Sequence, residues 1–256
     1  MKATPCATTH WMGRRHLFRV GTFTVASYSV LLYVGIVIGI TVGTHIASTM
    51  GMEPRRFATA ALVLLVPALV GARLWYVVER PRLFLAEPSR VGRTHEGGAG
   101  LYGGLVLSFA VSVPVLMQLA LDFWTFWDAA GIAMLVGMMI ARFGCLMNGC
   151  CHGRETDGPL GFFLPNRAGQ WRRRFPTQVM ESALSAMILG GALIARPHLP
   201  VPGTLFLSGA VAYGVGRLGL QQLRADAVVN GPSTRLNRLF SVVLVVVAGG
   251  TLIARG

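Results

Sequence analysis

Lysine is almost missing from this chain. Lys2 is the only one, so the formal charge of +13 rests on arginine. Charged residues make up 13% of the sequence, about half the roughly 25% of soluble domains. That shortage excludes a soluble, charge-covered globule and leaves an integral membrane protein. Long polar stretches are also lacking, which excludes a separate soluble module and predicts one polytopic membrane domain over residues 1–256. Cysteine is sparse: Cys6, Cys145, Cys150 and Cys151. Neighbouring Cys150 and Cys151 bridge each other only with strain. The spacing Cys-x4-Cys-Cys-His matches no common zinc pattern. These cysteines read as small packing residues, and no metal is expected.

What is present is apolar and long. Of the residues, 53% are hydrophobic. Seven windows are long enough for a hydrocarbon core of about 30 Å: Val25–Ile46, Ala60–Val78, Leu101–Leu121, Phe126–Ala141, Gln178–Ala195, Thr204–Leu220 and Phe240–Ile253. The expected fold is all-α, with about seven transmembrane helices and irregular glycine-rich loops lining a central cavity. The first window is too long for a cleaved signal peptide, and no small-residue cleavage site clearly follows it.

The most informative segment is Arg142-Phe-Gly-Cys-Leu-Met-Asn-Gly-Cys-Cys-His-Gly153, at the end of the fourth window. An arginine facing lipid costs about 2.5–3.5 kcal/mol on insertion scales, so this one is expected to face the protein interior and bind something. Gly144, Gly149 and Gly153 predict a helix that stops near Ala141 and passes into irregular backbone. A second glycine-rich stretch, Gly97-Gly-Ala-Gly-Leu-Tyr-Gly-Gly104, suits close approach to a ligand or simply tight helix packing. After Pro176, which fits a first helical turn, Gln178 and Glu181 share one face just inside the membrane. A buried Glu181 needs a partner, with arginine favoured. The run Arg172-Arg173-Arg174 reads as a solvated loop. Arg217, Gln221 and Arg224 follow i, i+4, i+7 spacing, which predicts a polar stripe on one helix face. Arg73 is a fourth intramembrane arginine. The only intramembrane carboxylates in view are Glu181 and Asp128, so the excess positive charge calls for an anion that is not protein. A phospholipid phosphate meets that need. Nucleic acid does not, because the arginines are scattered among apolar windows rather than gathered on one basic face.

Taken in order, these pieces resemble the prolipoprotein diacylglyceryl transferase family. The resemblance rests on Ser27-Tyr28, Gly71-Ala-Arg-Leu-Trp-Tyr76, the Gly97–Gly104 stretch, the Arg142–Gly153 segment, Phe175-Pro-Thr-Gln178 with Glu181, and Tyr213-Gly-Val-Gly-Arg217 through Arg224. It implies a multi-pass enzyme of the bacterial cytoplasmic (inner) membrane. Such an enzyme moves the diacylglyceryl group of phosphatidylglycerol onto the lipobox cysteine of a preprolipoprotein, with no cofactor. It implies that Arg142 and Arg217 clamp the headgroup phosphate, with Tyr102 and Gln221 at the catalytic positions. Tyr28, Arg73, Gly98, Gly103, Gly104, Asn148, Gly153, Gln178, Glu181 and Arg224 would hold lipid.

The chain departs from the family at two positions that bear on chemistry. Tyr102 stands where histidine, a proposed base, is usual, and Gln221 where glutamate is usual. A phenol with a pKa of about 10 is a poorer base at neutral pH, and an amide is none. Cys145 replaces a more usual asparagine, and Val179-Met180 a usual Leu-Tyr. A diverged paralogue that binds phospholipid without this transfer therefore stays open. So does a small anion transporter, although no internal repeat is visible. Counting arginines in the connecting segments places the N-terminus in the cytoplasm. The resemblance implies the opposite orientation, and arginines recruited to a phosphate site would distort such a count.

Overall fold

The structure, a computed structural model, describes residues 16–20, 23–92, 100–225 and 232–255. Each apolar window becomes a helix: α1 (Ser27–Thr49), α2 (Pro54–Val78), α4 (Leu101–Gln118), α5 (Phe123–Asn148), α6 (Thr177–Ala195), α7 (Thr204–Gln221) and α8 (Pro232–Arg255). A short α3 (Pro81–Ala86) follows α2. All but α7 of the seven are long and apolar enough to cross a membrane. The 18 residues of α7 would span about 27 Å, close to the core thickness. It is less apolar because it carries Arg217 and Gln221. The chain is a multi-pass helical membrane protein.

The packing is what lipid, rather than water, selects. Val37, Val66, Leu69, Ile194 and Val246 are exposed, while Ser27, Ser112, Ser185 and Ser241 are buried. With apolar surroundings on both sides, helices associate through close backbone approach. The buried face of α1 carries Gly35, Gly39 and Gly43 at four-residue spacing. It lies on α5, where a Cβ on Gly39 would sit 2.6 Å from the Ala133 carbonyl oxygen. On α2 and α4, Gly71 and Gly103 meet so tightly that a Cβ on either would strike the other's carbonyl.

Helix α5 organises the molecule. Its first turns carry Phe126, Trp127 and Ile132 in the apolar core, together with Phe57 of α2, Leu116 of α4 and Leu205 of α7. Sixteen residues beyond Phe126, about 24 Å along the axis, it delivers Arg142. Both ends lie outside the expected window. Asp122 caps the start, its Oδ2 accepting from the Thr125 amide at 2.8 Å, and that bond holds its carboxyl below the usual range. The helix does not stop near Ala141. It runs to Asn148 and ends only where Gly149 turns left-handed at φ 65°. Gly144 does not break it, because it is the seat for the Tyr28 backbone of α1.

Three further expectations are corrected. Two antiparallel hairpins accompany the helices: β1 (His16–Val20) with β2 (Phe23–Ala26) before α1, and β3 (Phe162–Pro165) with β4 (Trp171–Arg174) between α5 and α6. The second turns the arginine run into a strand. Arg172 and Arg173 stay exposed, but Arg174 is buried and pairs with Glu155 at 3.0 Å. Pro176 is the N-cap of α6 rather than part of its first turn. Arg224 lies beyond the end of α7, so it is not on a helical stripe with Arg217 and Gln221.

Asp128 of α5 caps α7 across the chain. Its carboxylate accepts from the Gly203 and Phe206 amides, each at 2.7 Å. Asp128→Ala would strand the buried Gly203 amide, at about 1–3 kcal/mol, and the half-buried Phe206 amide at less, and Asp128→Asn, which keeps one acceptor, should cost about half of the total. Thermal midpoints in one detergent would check that order.

Candidate active site

Helix α6 presents Gln178, Glu181, Ser182 and Ser185 on its buried face. Ser182 fixes that face to α5 by donating to the Met139 carbonyl at 2.9 Å. Glu181, 1% exposed, then receives three guanidinium groups. Arg142 of α5 places Nε 2.7 Å from Oε2. Arg217 of α7 pairs with Oε1, and Arg224 reaches the same oxygen at 3.2 Å. Among the described residues Oε2 accepts no hydrogen bond, so the Arg142 contact is charge pairing with the N–H aimed elsewhere. Within this set, three cations face one anion, a net charge of +2. A buried surplus of that size favours an anionic guest.

Polar atoms around the set are oriented but not all engaged. Among the described residues, Arg217 Nε, Tyr213 Oη and Gln178 Oε1 are buried with no hydrogen-bond partner. Tyr213 and Arg217 are four apart on α7 and share a face. In the sequence Tyr213 only opens the motif that reaches Arg217, although its i, i+4 spacing to that arginine marks it as a neighbour.

The segment after α5 brings Arg224 into place. The Gln178 Nε2 donates to the Cys150 carbonyl and the Thr177 hydroxyl to that of Cys151, both at 2.8 Å. Gly153 bridges Arg224 as an antiparallel pair, and the Arg154 amide donates to the Leu223 carbonyl at 2.8 Å. A Cβ at Gly153 would run into the Phe175 carbonyl, so only glycine lets these three segments meet. Asn148 turns toward Cys150, its Nδ2 donating to Sγ at 3.6 Å. Tyr28 of α1 lies against this part of α5, its backbone packed on Gly144.

Other expected site residues lie elsewhere. Tyr102 is buried between Trp75 and Phe240, with ring centroids at 6.2 and 5.2 Å, and its hydroxyl pairs with Ser241 of α8. Gln221 donates to the Thr234 carbonyl at 3.0 Å, joining α7 to α8. Arg73 binds the Arg90 and Val91 carbonyls at 2.7 and 3.0 Å, tying α2 to the turn that follows α3. Gly103 and Gly104 serve the α2–α4 contact. Gly98, with Gly97 and His95, lies outside the described residues. Glu79 is the C-cap of α2. It is buried beside Tyr102's neighbours and accepts from Trp75 at 2.9 Å and Asn237 at 2.5 Å. The Trp75–Glu79 spacing of four was the signal available.

A helical membrane protein whose buried centre is a guanidinium cluster with surplus positive charge is a protein suited to an anionic, membrane-borne group. Sequence comparison narrows the class. The chain belongs to the prolipoprotein diacylglyceryl transferase family, whose sequence model matches residues 15–254. It is similar to the phosphatidylglycerol–prolipoprotein diacylglyceryl transferase of Acaryochloris marina, at 29% identity over 84% of this chain and 81% of the relative. The enzymes of the same name from Shouchella clausii and Bacillus cereus are 28% and 27% identical, each over 91% of this chain and over 87% and 89% of the relative.

Proposed function

We propose that this protein transfers the diacylglyceryl group of phosphatidylglycerol to the lipobox cysteine thiol of a preprolipoprotein. The observation that carries the reading is the gathering of Arg142, Arg217 and Arg224 on the single carboxylate of Glu181. Its net charge of +2 matches a phosphodiester that leaves as a glycerol phosphate with more negative charge than it arrived with. Donors that strengthen as charge develops speed the bond-breaking step rather than merely binding lipid. The acceptor thiol gives up its proton to solvent, and its sulfur attacks the glycerol carbon that bears the phosphate. A carbon–sulfur bond forms, the carbon–oxygen bond breaks, and the electron pair leaves on the phosphate oxygen. Arg217 Nε and the Tyr213 hydroxyl add donors for that oxygen's neighbours. Tyr102 and Gln221 are held to α8, so no proton transfer is assigned to either. The bacterial cytoplasmic membrane is the setting, with membrane lipids around the spans and no role for nucleic acid.

The test is direct. Purified protein, phosphatidylglycerol vesicles and a cysteine-bearing lipobox peptide should yield the diacylglyceryl thioether, seen by mass spectrometry, with one glycerol phosphate per product. A folded protein that binds phosphatidylglycerol and gives no product would replace this reading by that of a lipid-binding paralogue.

A further inference from the structure

The end of α5 and the turn after it bring together the sulfurs of Cys145, Cys150 and Cys151, all within 4.8 Å of one another. The convergence is built rather than incidental. The Cys150 amide donates back to the Cys145 carbonyl at 3.1 Å, folding the chain over its own helix end. Cys151 is held at φ 57°, a left-handed conformation that β-carbon-bearing residues rarely adopt and that clusters at functional sites. Asn148 Nδ2 points an N–H at the Cys150 sulfur, the contact that outer-shell amides make to metal-bound thiolates.

We propose that Cys145, Cys150 and Cys151 bind one thiophilic d10 metal ion of the zinc class, leaving one coordination position for an incoming thiol. Zinc–thiolate bonds of about 2.3 Å put tetrahedral sulfurs about 3.8 Å apart, which this cluster reaches by small side-chain rotations. Three thiolates and a divalent ion together carry a charge of −1, which leaves a net +1 of the neighbouring arginine surplus to face the lipid phosphate. Among the described residues, only these three cysteines form such a group. Sites with three protein ligands keep a position open for a reacting group. On the transfer reading above, on which this part rests, that group is the acceptor cysteine. Its thiol loses one proton to solvent as the thiolate coordinates, and the metal keeps its oxidation state throughout. This gives a chain with Tyr102 and Gln221 a way to make thiolate without the usual base.

Metal content of the full-length protein in detergent, after zinc loading and exchange into metal-free buffer, should be one ion per chain. It should fall at least about tenfold in Cys145→Ser and Cys151→Ser. With cadmium as probe, the ultraviolet sulfur-to-metal absorption should saturate at one equivalent. It should grow when the lipobox cysteine peptide is added, and not with its serine counterpart. Zinc retention that is absent, or equal in wild type and the triple serine variant, overturns the site. A cadmium band indifferent to the cysteine peptide overturns the open position. Circular dichroism separates loss of ligand from loss of fold, and the half-buried Cys151 is the gentler substitution. Product formed without metal would sink this inference and spare the transferase. Metal bound without product would do the reverse.

Discussion

Glu181→Gln should cost about 3–5 kcal/mol of stability, because it removes one partner of a buried ionic set and leaves the others uncompensated. The side chain keeps its size, so the effect is charge and not cavity. Arg142, Arg217 and Arg224 would face one another with side chains no more than 15% exposed. Anionic lipid should rescue the variant: phosphatidylglycerol should raise its thermal midpoint more than it raises that of the wild type. An unchanged midpoint would mean that the arginines are not held by this carboxylate. A midpoint raised equally by zwitterionic lipid would mean that the guest is not chosen by charge.

Arg142→Ala should behave in the opposite way, with a small loss of stability and a large loss of rate. Glu181 would still be paired by Arg217 and Arg224, so no buried charge is left alone. The donor lost is the one on α5. Transfer should fall by about 10²–10³, the effect of removing one donor from a preorganised anion site. Initial rates at saturating phosphatidylglycerol would measure it. A wild-type rate from an inserted, folded variant would take Arg142 out of the chemistry.

The helices were legible because lipid demands long apolar runs, and each of the seven windows contains the body of one helix. Their ends were less so. The window ending at Ala141 follows hydropathy, but α5 ends by backbone geometry at Gly149, two turns later. Gly144 looked like a breaker because a sequence does not show that Tyr28 of α1 fills the space above it. The pairing of Glu181 with arginine followed from charge alone, since a buried carboxylate has few other partners. That three arginines share it did not, because Arg224 arrives through the Gly153 bridge rather than through helical spacing. Tyr102 shows the limit of motif matching. It occupies a family position, yet its hydroxyl is directed by Ser241, more than a hundred residues away in sequence. The cysteine cluster was hidden for a similar reason: its spacing fits no known finger, and only the left-handed turns at Gly149 and Cys151 close it.

The Asp128 cap has a consequence for how the protein is made. Helix α7 is the span least able to enter a bilayer alone, since Arg217 and the amides at its start carry needs that lipid cannot meet. Those needs are met from helices synthesised earlier: Asp128 from α5 for the amides, Glu181 from α6 for the arginine. Stable insertion of α7 is therefore expected to depend on α5 and α6 already standing beside it, with the three settling as one unit. Damage to either carboxylate would first appear in cells as missing protein, removed by quality control before any slow turnover could be measured.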